Sequence, residues 1–129
     1  MSKILTEISA GELLDKISIL EIKLDKIKNL QLLKEIKKEY DILNKAKKEN
    51  INFSRELDIL YKDLKNTNEK LWEIEDKIRL CEKNSNFKDD FIKLARDVYF
   101  TNDKRSKTKL KINKILGSNI QEVKQYTEY

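Results

Sequence analysis

Asn68, Trp72, Glu75 and Arg79 are spaced 4, 3 and 4 residues apart, so on a helix they form one polar and aromatic stripe. Glu75 and Arg79 can pair at i,i+4 in the favourable orientation. Near the start of the chain Glu12 and Lys16 have the same spacing, with Asp15 beside them. Further on, Arg96, Tyr99 and Asp103 share a helical face. Brought together, these acids, arginines and a phenol would line a cleft for a small anionic or sugar-like ligand, such as a phosphorylated sugar or nucleotide. The same groups would serve as an interhelical salt-bridge network that fixes register. In either role, partly desolvated charges need defined partners.

Two acid pairs, Glu12 with Asp15 and Glu73 with Asp76, have the i,i+3 spacing of helical Mg²⁺-dependent nucleotide hydrolases. A chain with 23 acids produces several such pairs by chance, so no metal, cofactor or catalytic residue is assigned. Other chemistries are excluded outright. There is no histidine and Cys81 is the single cysteine; zinc sites, Ser-His-Asp triads, Cys-His dyads and disulfides within the chain therefore drop out. Cys81 itself reads as a small buried hydrophobe. Proline is absent and glycine occurs only at positions 11 and 117, which removes Gly-rich phosphate loops and turn-rich sandwiches or barrels.

Charge is unevenly spread. Residues 101–116 hold Lys104, Arg105, Lys107, Lys109, Lys111 and Lys114 against Asp103 alone, so the whole formal excess of +5 lies there. Such a patch is a footprint for phosphate, nucleic acid or another anion. Nucleic-acid binders usually add arginines or interleaved aromatics; here five of the six cations are lysines. A solvated lysine face is the favoured reading, and nucleic acid is disfavoured as a partner.

These groups must be positioned by helices. With 40% charged and 39% hydrophobic residues in 129, the chain has enough regularly placed apolar content for one folded domain, residues 1–129. Ser9 with Glu12 fits a capping box. Leu13, Ile17, Leu20, Leu24 and Ile27 then form a seam, with Ile19 and Ile22 nearly opposite. Apolar groups on two sides predict a helix sandwiched between neighbours, central to the fold or to an interface. A second helix is expected over about 30–48, and the short turn at 49–54 predicts that helices two and three are antiparallel neighbours. The third, about 54–83, keeps a 3,4 rhythm through Leu57, Leu60, Leu64, Thr67, Leu71, Ile74, Ile78 and Cys81. At 1.5 Å per residue it makes a rod of about 45 Å, with heptad, coiled-coil-like packing.

Asn84-Ser85-Asn86 marks a turn, with Asn86 as cap of a fourth helix carrying Phe87, Phe91, Leu94 and Val98. Asn102 reads as the cap of a fifth helix ending at Leu116, with Gly117 as its αL terminator. Residues 118–129 are expected to form a loose strap or to fray. The fold class is therefore all-α: four to five helices in antiparallel hairpins, with a long heptad-patterned third helix and no sheet. The first 20 residues lack an uninterrupted apolar run and nothing approaches a membrane span. With one unpaired cysteine, the cytoplasm is the expected compartment.

Three stretches carry a resemblance. Gly11-Glu12-Leu13-Leu14-Asp15-Lys16-Ile17-Ser18-Ile19-Leu20-Glu21-Ile22-Lys23 resembles the opening motif of a family of short bacterial and phage proteins known only as a domain of unknown function. Leu71–Arg79 resembles its second block and Phe91–Tyr99, continuing through Asn102-Asp103-Lys104-Arg105, its third. Glu122-Val123-Lys124-Gln125-Tyr126 is similar to a closing segment that carries serine where Gln125 stands. The resemblance brings no activity. It implies that the polar residues within the blocks are the ones to follow: Glu12, Asp15, Lys16, Trp72, Glu75, Arg79, Arg96, Tyr99, Asn102, Asp103 and Arg105. The leading expectation is a non-enzymatic interaction protein acting as a homodimer. The alternatives are a ligand site in the acid–arginine–tyrosine cluster and nucleic-acid binding through 101–116.

Overall fold

Ser9 starts the first helix by accepting the Glu12 amide on its Oγ at 3.2 Å. Helix α1 then runs Ala10–Lys26. Its buried residues, Leu13, Leu14, Ile17, Ser18, Leu20 and Ile22 among them, wrap most of its circumference, as the two-sided apolar pattern predicts. It packs against each of the other three helices, α2 (Leu30–Asn50), α3 (Arg55–Lys83) and α4 (Asp89–Ile115). This computed structural model describes residues 2–129, and among them there is no β-strand. The all-α fold class is as expected.

Helices α3 and α4 form an antiparallel hairpin. Their turn closes with Ser85 at φ 52°, the Ser85 amide donating to the Glu82 carbonyl and the Asn86 amide to that of Cys81 at 2.8 Å. This is the Schellman pattern, built on serine rather than glycine. Asn86 does not cap α4: Lys88 holds that position without a side-chain bond. Asn86 instead accepts from the Lys88 amide and donates to Asp90.

Helix α1 crosses the base of this hairpin, its first turns on α4 and its later ones on α3. Gly11 meets Asn113, Asp15 meets both Arg105 and Asn68, and Glu21 meets Tyr61 and Lys65. The core lies at this crossing, where Leu13, Leu14 and Ile17 pack with Leu57, Leu64 and Ile112. Above it, α3 still buries Leu71, Ile74 and Cys81, but α4 buries no side chain between Asp89 and Phe100. The upper hairpin is a two-helix arm.

Two expectations about elements are corrected. Helix α2 packs on α1 and makes no close backbone approach to α3, although only residues 51–54 separate them. Tyr40, Leu43 and Ala46 of α2 pack against the core cluster to which α1 contributes Leu13, Leu14 and Ile17, so the short link spans from one packing partner of α1 to another. No fifth helix begins at Asn102: α4 continues unbroken to Ile115. Thr101 is buried there and Asn102 turns its Oδ1 toward Arg105, so cap-forming side chains serve tertiary contacts instead of ending the helix. Gly117 does terminate α4, at φ 60°, with the Ser118 amide on the Asn113 carbonyl at 2.9 Å. Residues 118–129 then return along α4 without regular structure.

Candidate functional site

A chain of polar groups runs through the crossing of α1, α3 and α4. Asp15, on the inner face of α1, is 1% exposed. Its Oδ1 accepts from Asn68 Nδ2 and from Arg105 Nε, each at 2.9 Å. Its Oδ2 accepts from the second arm of the same guanidinium, giving the bidentate geometry that only arginine supplies. Asn68 also donates to Ser18 Oγ at 2.8 Å, and that hydroxyl donates to the Asp15 carbonyl. The bond to Asp15 raises the pKa of Arg105 against the opposing effect of burial, with the charges of Asp15, Glu12 and Glu122 adding to it.

One turn further along α4, Lys109 lies buried between Glu12 (2.7 Å) and Glu122 (2.9 Å), with Asp15 at 3.9 Å. Burial alone would lower the Lys109 ammonium; the bonds to Glu12 and Glu122 and the charges of Asp15 and Glu12 outweigh it and raise the pKa. In return, Lys109 holds the Glu122 carboxyl below its usual range. Asn113 completes the chain by accepting the Gly11 amide at 2.6 Å. Glycine is required at that place: a Cβ would stand 2.6 Å from the Lys109 carbonyl oxygen and 2.9 Å from Asn113 Oδ1.

A family model described as a family of unknown function (DUF6165) matches residues 4–128. The chain belongs to this family. No curated protein and no solved structure matches it.

In this DUF6165 member the residues singled out from the sequence divide into three places. Glu12, Asp15, Asn102 and Arg105 meet in the crossing network, with exposed Lys16 at its edge, 3.9 Å from Glu12. Tyr99 and Asp103 lie further up α4, where both touch Tyr129; Arg96 sits over the Phe100 ring at 5.8 Å. Glu75 and Arg79 pair with each other on the exposed side of the arm at 3.2 Å, and Trp72 is half-buried on the same helix. The basic patch is likewise divided. Arg105 and Lys109 turn inward, leaving Lys104, Lys107, Lys111 and Lys114 on the surface. Sequence reasoning missed Ser18, Asn113, Ser118 and Glu122. Ser18 and Glu122 stand within the resembling segments without being singled out there; the signal for Asn113 and for Ser118, whose Oγ accepts the Ala10 amide at 3.1 Å, is Gly11, whose bare backbone admits α4 closely.

The network's chemistry is that of a closed set. Both Asp15 oxygens are occupied, and the carboxylates of Glu12, Asp15 and Glu122 are met by Arg105 and Lys109 inside and by Lys16 and Lys124 at the edge. No cation is left over for a phosphate, and Glu12 and Asp15 are bound to side-chain cations rather than poised around an ion. Among the described residues, no group of three or more metal-ligating side chains is placed to hold a metal, and no helix is long and apolar enough to cross a membrane.

Proposed function

We propose that this protein is a non-enzymatic interaction protein of the cytoplasm that acts as a homodimer, with the α3–α4 arm as the face that meets the second copy. The observation that carries this reading is the arm's uncovered apolar surface. Leu80, Phe87 and Ile92 are 55%, 53% and 52% exposed, and the seam residues Phe91, Leu94 and Val98 of α4 are only half-buried. Two helices cannot enclose their own seam, whereas two such hairpins make a four-helix bundle with it inside. The arm also suits a copy of itself electrostatically. Residues 70–97 carry seven basic and seven acidic side chains, so opposite charges can alternate across a self-complementary contact without a net repulsion. In this reading the Asp15 network sets the angle at which α1 locks the base of the arm.

Light scattering on a sizing column tests it. The expected mass is about 31 kDa, twice the 15.4 kDa chain, falling to the single-chain mass in Leu80→Glu and Ile92→Glu. A wild-type chain that stays at 15.4 kDa at high concentration overturns the reading.

A further inference from the structure

The surface between α4 and residues 122–129 is a second place where the chain gathers chemistry, apart from the arm tip. The returning segment is held at one end by Glu122 on Lys109 and at the other by the Tyr129 hydroxyl donating to Asp103. Between these anchors it arches over α4 and leaves a cleft of about 580 Å³, within the range of roughly 300–1,000 Å³ usual for small-molecule sites. Tyr99 and Tyr126 supply aromatic walls, and Asn102, Asp103, Lys124 and Thr127 supply polar ones. A neighbouring cleft that shares Asp103, Lys124 and Tyr126 reaches Ser106, Lys107 and Glu128.

Three properties of this lining narrow the ligand. First, its charge is balanced: Asp103 against Lys124, and Lys124 is already 3.6 Å from Glu122. A phosphate would find no unspent cation cluster. Second, donors and acceptors stand side by side. Asp103 Oδ2 takes the Tyr129 hydroxyl, while Asp103 Oδ1 and Asn102 Nδ2 have no protein partner among the described residues. An acceptor beside a donor matches two neighbouring hydroxyls, each of which can give one bond and take another. Third, the chain's own Tyr129 already shows what the surface accepts. Its ring meets Tyr99 at 5.4 Å and Phe100 at 5.0 Å, both edge-to-face, while its hydroxyl goes to Asp103. A ring that offers C–H groups to aromatic faces and hydroxyls to a carboxylate is the chemistry of a pyranose.

We infer that the cleft between α4 and the 122–129 segment binds an uncharged sugar ring, stacked on Tyr99 and Tyr126 and hydrogen-bonded to Asn102 and Asp103. The cleft lies within one chain and shares only Val98 with the arm's seam, so a monomeric chain would still carry it.

Saturation-transfer NMR on the full chain tests this with millimolar glucose, galactose, mannose and N-acetylglucosamine, each free and as its methyl glycoside. Transfer to at least one sugar is expected, lost in Tyr99→Ala and in Asp103→Asn and retained in Glu75→Gln on α3, which does not line the cleft. Because Tyr99 lies on a helix, Tyr126→Ala on the segment provides the same loss without touching α4, and circular dichroism reports that each variant is folded. Equal binding of the methyl glycoside marks the end residue of a glycan as the source; loss on methylation marks a free sugar. Absence of transfer to every sugar, transfer unchanged in both tyrosine variants, or binding of adenosine or inorganic phosphate in place of sugars overturns the inference.

Discussion

Asp15 shows how much one buried side chain commits in this protein. Both of its oxygens are engaged by Asn68 and Arg105, and Lys109 adds its charge at 3.9 Å. Removing one partner of a buried pair leaves the other desolvated and unmatched, a loss of about 3–5 kcal/mol from a total stability of the order of 5–15 kcal/mol. Asp15→Ala is therefore expected to unfold at much lower denaturant concentration, with Arg105→Lys intermediate because lysine cannot make the bidentate contact. The glycines make a contrasting pair. Gly11→Ala drives a Cβ into the Lys109 carbonyl, and overpacking of this kind costs about 1–3 kcal/mol. Gly117→Ala meets no atom within 4 Å but sits at φ +60°, so only the backbone preference is lost, about 1 kcal/mol. Urea midpoints of the two variants should fall in that order; equal midpoints would contradict the close approach of α1 to α4.

At the scale of elements, the apolar seams were legible and their pairings were not. The rhythm from Leu57 to Cys81 fixed α3 because it is local: residues three and four apart face the same way whatever they touch. Asp15 and Arg105 are 90 residues apart, and spacing within helices says nothing about contacts between them. Lys109 looked like its neighbours Lys107 and Lys111; only the approach of α1 distinguishes the buried one. Asn102 misled because a cap and a mid-helix network residue have the same chemistry, and tertiary contacts decided between them.

The C-terminal segment gives a pH prediction at this scale. Hydrogen bonding to Asp103, with further contributions from burial and the charges of Asp103 and Tyr99, pushes the Tyr129 phenol from 10.0 to about 12. A raised folded pKa means the contribution is fully present below 10 and disappears as pH rises toward 12. Glu122 works at the other end: its lowered pKa makes its contribution present above 4.5 and lost as pH falls through the folded value. Ultraviolet titration of the five tyrosines should show a late-ionising step that includes Tyr129. The Tyr129→Phe variant should reduce that step by one phenol and leave the acid-side release unchanged; a late step of undiminished amplitude in Tyr129→Phe would refute the assignment.

For the whole molecule, the base and the arm differ in how they are held. Around the crossing, three helices bury a shared core; along the arm, two helices share a half-covered seam. If a second copy covers that seam, the melting temperature rises with protein concentration, because association is linked to folding. Leu80→Glu should abolish that dependence while leaving the dilute-limit melting temperature nearly unchanged, since Leu80 is exposed within one chain. Differential scanning calorimetry over a hundredfold concentration range reads both. The surface lysines of α4 predict a companion result: any DNA or RNA retention is weak and disappears with modest salt, because Lys104, Lys107, Lys111 and Lys114 alone can release only a few counterions.

The crossing of α1 over the hairpin base also imposes an order of events during synthesis. Residues 10–26 leave the ribosome some ninety residues or more before their partners Arg105, Lys109 and Asn113. Until then α1 has only α2, which buries nothing completely, and then α3, which covers its later turns. The arm has no such delay, because its two helices are neighbours in the chain joined by a five-residue turn between Lys83 and Asp89. It can close early as a local hairpin, while the distant contacts of α1 carry the loop-closure entropy that slows folding. The nascent chain thus holds one side of its most apolar helix uncovered until α4 is made, and the last turns of α4 decide when that exposure ends.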